Sequence, residues 1–311
     1  MPGDREGHAD IAHNLTPFTS VFGKGRTFMP NFPIVDTHVH LWDPSLIKYS
    51  WLTDIEKLNR AFLPSDFREH CADVAVDHMV FLECDTDGTQ FLDEAKWVAS
   101  LASGQEPRIK GIVAHAPVHR GDAVKPDLQA LIGVEGVKGV RRLIQGESAD
   151  FCVQPDFVKG VRALTEFDLR FDLCIFHPQL VHTIALVKQC PDVMFVLDHI
   201  GKPAIKAGLM NPWRDELKQL AELPNVWCKV SGVVTEADHA HWTFDALKPY
   251  LDHVFETFGF DRLMYGGDWP VSTLATRYPA WVETLDKLLA GSSEGELRQF
   301  YRETAISFYE L

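Results

Sequence analysis

Four short stretches carry the residues best suited to chemistry: "VDTHVHLWDP" with His38 and His40, "CIFHP" with His177, "VLDHIGKP" with Asp198, His199 and Lys202, and "LMYGGDWPV" with Asp268. Three imidazoles and a carboxylate (His38, His40, His177 and Asp268) form a ligand set for one divalent cation such as zinc, with room for a water. A bound dication brings the pKa of its water down towards about 7 and polarises a carbonyl. Asp268 then takes the proton of the attacking water and later returns it to the leaving oxygen. His199 offers a hydrogen bond to the substrate or to a developing oxyanion. In an acidic chain, Arg141, Lys202 and Lys229 stand out as cations near the same strand ends. They are read as substrate-binding groups, with Arg141 offering the planar fork that suits a carboxylate.

Each residue alone has a plainer reading. A lone histidine at a strand end is more often a hydrogen-bonded core residue, and "DWP" is also an ordinary turn. The number of ionisable groups at matching strand ends decides for a site, because burying each costs several kcal/mol unless it is paired or ligated.

The elements that must position these groups follow from the hydrophobic pattern. Eight short, apolar, β-branched runs recur: "FPIVDTHVHL", "VDHMVFLEC", "RIKGIVAHA", "GVKGVRRLI", "LRFDLCIFH", "VMFVLDHIG", "NVWCKVSG" and "DRLMYGGDWP". Amphipathic segments such as "FLDEAKWVASLA", "QLVHTIALVKQC" and "FDALKPYLDHVFETFG" lie between them. Near-continuous apolar runs fit parallel strands buried on both faces. Strand–helix alternation over about 250 residues predicts an α/β fold, a (β/α)8 TIM barrel, whose active site lies at the C-terminal ends of the strands. In a regular strand Asp36, His38 and His40 share one face. Residues 1–32 are polar, rich in Gly and Pro, and read as an N-terminal extension. Residues 33–311 read as a single barrel domain. A doubly wound sheet is disfavoured, because "GVEGVKGV" runs into a strand rather than opening a helix.

The chain has 311 residues, 46% of them hydrophobic, which is ample for one large core. A net charge of −14 with no dense Lys/Arg stripe argues against nucleic acid and anionic membranes as partners. The first residues lack the pattern of a secretory signal, and no run reaches the roughly 18 apolar residues of a membrane span. A cytoplasmic location is expected, with the six cysteines reduced and packed. Self-association into a homo-oligomer is left open. Neither a G-x-S-x-G elbow nor a P-loop is present.

Taken together, "VDTHVHLWDP", "GVKGVRRLIQ", "VLDHIGKP" and "LMYGGDWPV" resemble the amidohydrolase superfamily, in the amidohydrolase 2 branch of metal-dependent TIM-barrel hydrolases. The likeness runs from about Phe32 to the C-terminus. It is nearest to the sugar lactonases of the L-fuconolactonase and L-rhamnonolactonase types, with 4-sulfomuconolactone hydrolase and pyrone-dicarboxylate lactonase as relatives. The resemblance implies hydrolysis of a sugar-derived or muconate-type lactone to its hydroxy acid. It places His38 and His40 as the first-strand pair, His199 as the sixth-strand histidine and Asp268 as the eighth-strand acid. Arg141 falls where the pyrone lactonase type holds a substrate carboxylate. His177 matches the fifth-strand ligand of related decarboxylases better than that of the lactonases. With "VRRLI" ending the fourth strand, where two-metal members place a carboxylated lysine, at most one metal is implied. Some lactonases of the branch use no metal, with the histidines as hydrogen-bond donors. The alternative on the same scaffold is nonoxidative decarboxylation of an aromatic or muconate-type acid.

Overall fold

A computed structural model describes residues 30–88 and 90–311. The proposed extension, residues 1–32, therefore lies almost wholly outside the described residues. Phe32 itself is buried in the core, edge-on to Tyr301.

All eight apolar runs form strands: β1 (Ile34–Val39), β2 (Val76–Leu82), β3 (Ile109–His115), β4 (Val137–Arg141), β5 (Arg170–Leu173), β6 (Phe195–Leu197), β7 (Val226–Val230) and β8 (Leu263–Tyr265). They pair in parallel in sequence order, each with the next. Between and after them run α1 (Pro64–Cys71), α2 (Phe91–Ser103), α3 (Lys125–Ile132), α4 (Pro155–Arg162), α5 (Leu180–Gln189), α6 (Trp213–Ala221), α7 (Phe244–Phe258), α8 (Tyr278–Leu288), α9 (Glu294–Arg298) and α10 (Thr304–Tyr309). This is a (β/α)8 barrel. No helix among the described residues is long and apolar enough to cross a membrane.

Closure between the last and first strands occurs at their C-terminal ends. The Asp268 N–H donates to the His38 carbonyl and the His40 N–H to the Trp269 carbonyl, both at 2.8 Å. The backbone that closes the barrel thus holds the H-x-H pair against the D-W-P turn. Asp36 reinforces the joint. Its carboxylate accepts the N–H groups of Gly267 at 2.8 Å and His38 at 2.9 Å, and the Tyr278 hydroxyl of α8 at 2.7 Å. Asp36 therefore does not share the face of His38 and His40. An irregularity in the β1–β2 register between Asp36 and Val39 breaks the strict alternation. Gly267 permits the joint, since a Cβ there would sit 2.5 Å from Asp36 Oδ2.

Inward side chains stack in layers, as barrel interiors do. At the floor, Val35, Val80, Val113, Val196 and Met264 pack with Phe308 and Tyr309 of α10. Above them lies an ionic layer: Lys229 Nζ bonds Asp172 and lies 3.2 Å from Asp198 Oδ1, and the Tyr309 hydroxyl donates to Asp172 at 3.0 Å. The third layer is the site.

Candidate active site

Alternation along each strand decides what reaches the mouth. On β5, Arg170 reaches the Phe308 carbonyl of α10, Asp172 the ionic layer, and Cys174, just past the strand, the cavity. β7 sends Lys229 to the ionic layer, and Ser231 one step higher reaches His199. The mouth encloses a cavity of about 320 Å³ lined by His40, Arg141, His199, Lys202 and Asp268 together with Trp42, Trp51, Cys84, Asp85, Gln145, Cys174 and Thr235. That volume lies at the small end of ligand cavities, roughly 300–1,000 Å³.

His38, His40 and Asp268 converge. His40 Nε2 lies 3.6 Å and His38 Nε2 3.8 Å from Asp268 Oδ1. His40 Nδ1 is 2.9 Å from the Leu82 carbonyl, which can only accept, so Nδ1 carries the proton and Nε2 keeps its lone pair. His38 Nδ1 faces Asp198 Oδ1 at 3.2 Å. His199 Nδ1 is 2.9 Å from Ser231 Oγ, and its ring centre is 4.4 Å from that of His38.

The electrostatics are set by burial and by partners. Burial pushes His199 down to about 4 and holds His38 well below the usual imidazole range, although Asp198 pulls His38 upward. Burial alone would raise Asp268, but His199, His40 and His38 together outweigh it and hold the carboxyl well below the ordinary carboxylate range. At neutral pH the cavity therefore presents an ionised Asp268 and a neutral His199.

Among the described residues, two buried triads bring ligand atoms within 4.8 Å of one another: His38, His40 and Asp268, and His38, Asp198 and His199. The first fits a divalent metal better. Asp198 is already engaged by Lys229 and by Arg141 Nη1, each at 3.2 Å. Charge also favours a dication. Two buried cations, Arg141 and Lys229, face four buried carboxylates, Glu83, Asp172, Asp198 and Asp268. Arg141 Nη1 lies 3.4 Å from His38 Nε2, but its charge is compensated by Glu83 and Asp198.

The other expected residues are placed as follows. His177 joins neither triad and does not line the cavity. β5 ends at Leu173, and His177 opens a 3-10 turn beyond Cys174 whose Gln179 caps the Phe176 N–H and donates to the Ile144 carbonyl. Lys229 is fully buried in the ionic layer and does not line the cavity. Arg141 lines the cavity, yet Nε and Nη2 are spent on the Glu83 carboxylate and carbonyl at 2.7 and 2.6 Å. Lys202, bonded to Gln145 and 5.3 Å over the Phe176 ring, is the less committed cation at the mouth. Sequence reasoning missed Glu83, Asp172 and the cavity residues Trp51, Asp85, Gln145 and Thr235. An acid inside the apolar runs "VFLEC" and "RFDLC" was the available signal for the first two. The six cysteines are free and buried, but Cys84 and Cys174 also line the cavity.

The model of the family described as "Amidohydrolase" matches residues 35–311. The chain belongs to the amidohydrolase family. Among its relatives, L-fucono-1,5-lactonase of Burkholderia multivorans is 30% identical over 297 residues, covering 89% of this chain and 96% of that protein. L-rhamnono-gamma-lactonase of Scheffersomyces stipitis is 23% identical, covering 91% of this chain and 100% of the other. An amidohydrolase crystal structure from Burkholderia multivorans, with bound zinc, superposes with a TM-score of 0.79 at 28% identity, covering 90% of this chain and 100% of that one. The family assignment agrees with the barrel.

Proposed function

We propose that this amidohydrolase opens a sugar-derived or muconate-type lactone to its hydroxy acid. The observation that carries the reading is Asp268, an ionised carboxylate at a small cavity in the barrel mouth, flanked by two histidine nitrogens and faced by neutral His199. The lactonase names and the lengths matched in the relatives support it.

Asp268 is the proton acceptor for the attacking water. As an ionised carboxylate it is a weak base and needs a water more acidic than bulk. One divalent metal, zinc by the precedent of the related structure, fits at His38, His40 and Asp268 and, when bound, supplies that acidity and polarises the carbonyl. Ser231 Oγ lies 2.9 Å from His199 Nδ1; with that hydroxyl as the donor, His199 carries its proton on Nε2 and offers it to the carbonyl oxygen. Asp268 then hands its proton to the ring oxygen as the acyl–oxygen bond breaks. Lys202, Gln145 and Thr235 line the cavity as partners for hydroxyls or a carboxylate, and Trp42 and Trp51 supply apolar walls. The test is a panel of aldono-1,4-, aldono-1,5- and muconolactones, assayed by acid release with the metal-stripped and the zinc-loaded protein. At least one lactone should be turned over by the loaded protein, with a loss of at least about 10–100-fold on stripping, the cost of losing only a ligand's supporting partner. Full activity after stripping would remove the metal from the account. Inactivity on every lactone would remove the lactonase reading.

A further inference from the structure

A second cavity, of about 520 Å³, opens beside the one that holds Asp268. The two share a wall made by Asp85, Leu143 and Gln145. The second chamber is built from the ends of β3 and β4 and the loops that follow, with Phe91 from the first turn of α2. His115 stands opposite Arg141 in the β3–β4 ladder, and Arg142 is the next residue of the chain. None of the chemistry above uses His115, His119, Arg120, Arg142 or Glu147, all of which line this chamber.

Its lining selects an occupant. The chamber's two cations, Arg120 and Arg142, are balanced by Asp85 and Glu147. Arg142 is bonded directly to Glu147 and to the Leu143 carbonyl. A lone anion would therefore meet no net positive field. An apolar group would cover these part-exposed donors and acceptors without replacing the bonds they make to water. What remains is a neutral group with many hydroxyls. Imidazole, guanidinium, carboxylate and amide planes supply donors and acceptors for such a group. Rings hold several of them in place: His115 lies 5.7 Å from Phe91, His119 6.2 Å from Phe151, and Arg142 5.1 Å over Phe151. Size points the same way. The inner cavity of about 320 Å³ suits one small ring, and the cavity of about 520 Å³ that shares Leu143 and Gln145 with it offers room for a second.

We propose that the substrate is an aldonolactone carrying a glycosyl substituent, with the lactone ring against Asp268 and the sugar in the chamber lined by His115, His119 and Arg142. This rests on the lactonase reading. The reaction adds water across the lactone acyl–oxygen bond, giving a carboxylic acid and a hydroxyl, and leaves the glycosidic bond intact.

The experiment compares kcat/KM for each hexono-1,5-lactone that is hydrolysed with its O3-, O4- and O6-glycosyl derivatives, on the metal-loaded protein. At least one glycosylated lactone should exceed its parent by about 10-fold or more, the scale on which added contacts move specificity. His119→Ala, at an exposed position, and Arg142→Gln should each cancel most of that advantage while leaving the parent lactone within about twofold. If no derivative exceeds its parent, or if both variants slow parent and derivative equally, the inference is overturned while the lactonase reading stands. If no lactone of either kind is opened, both are overturned.

Discussion

Asp268→Asn should lower kcat by about 10²–10⁴-fold, the usual cost of losing a general base, while the folded protein keeps its denaturation midpoint to within a small shift. The amide is nearly isosteric but cannot accept the proton of the attacking water. It also removes the negative charge that His38, His40 and His199 surround. The backbone at Asp268 will hold the new residue, because its N–H bond to the His38 carbonyl does not depend on the side chain. Asparagine is also among the residues that best tolerate the positive φ found there, 52°. The same substitution should weaken zinc binding, measured by competition with a chromogenic chelator. A variant with near wild-type kcat would make Asp268 a structural residue.

Lys229→Met should destabilise the protein by about 3–5 kcal/mol, the cost of removing one partner from a buried ionic group. Lys229 is fully buried and is the cation between Asp172 and Asp198. Methionine fills similar space but leaves two carboxylates close together, with Tyr309 and Arg141 as their remaining support. The loss is read from urea unfolding followed by tryptophan fluorescence. Activity should fall as well, because Asp198, which Lys229 contacts, lies 3.2 Å from Nδ1 of His38. An unchanged midpoint would show that the ionic layer is not what holds the interior together.

The barrel was legible because parallel strands covered on both faces read as apolar runs, and eight of them alternate with amphipathic helices. His38, His40, His199 and Asp268 were legible for a related reason: they are costly residues where an apolar strand should simply stop. Depth was not legible. "LRFDLCIFH" stays apolar past the end of its ladder, so His177 looks like a strand-end residue although Cys174 takes the position at the mouth. Lys229 was placed on the right strand but one layer too high. Its register with Met264, whose side chain joins the apolar floor cluster, sets it below Ser231. Asp36 was assigned a face by a period of two that the register irregularity in β1 breaks. The cavity residues Asp85 and Gln145 come from loops and Thr235 from a 3-10 turn, where no periodicity points to a cavity.

The account makes Asp268 the base for water attack on a lactone carbonyl, and single-turnover hydrolysis in H₂¹⁸O tests this most directly. With the lactone identified by the panel, one ¹⁸O should enter the new carboxylate, the released hydroxyl should keep the ring's ¹⁶O, one proton should be released per turnover, and Asp268→Asn should suppress all three signals together. Label in the hydroxyl, or stoichiometric CO₂ from a carboxylated aromatic with no lactone consumed, would contradict it.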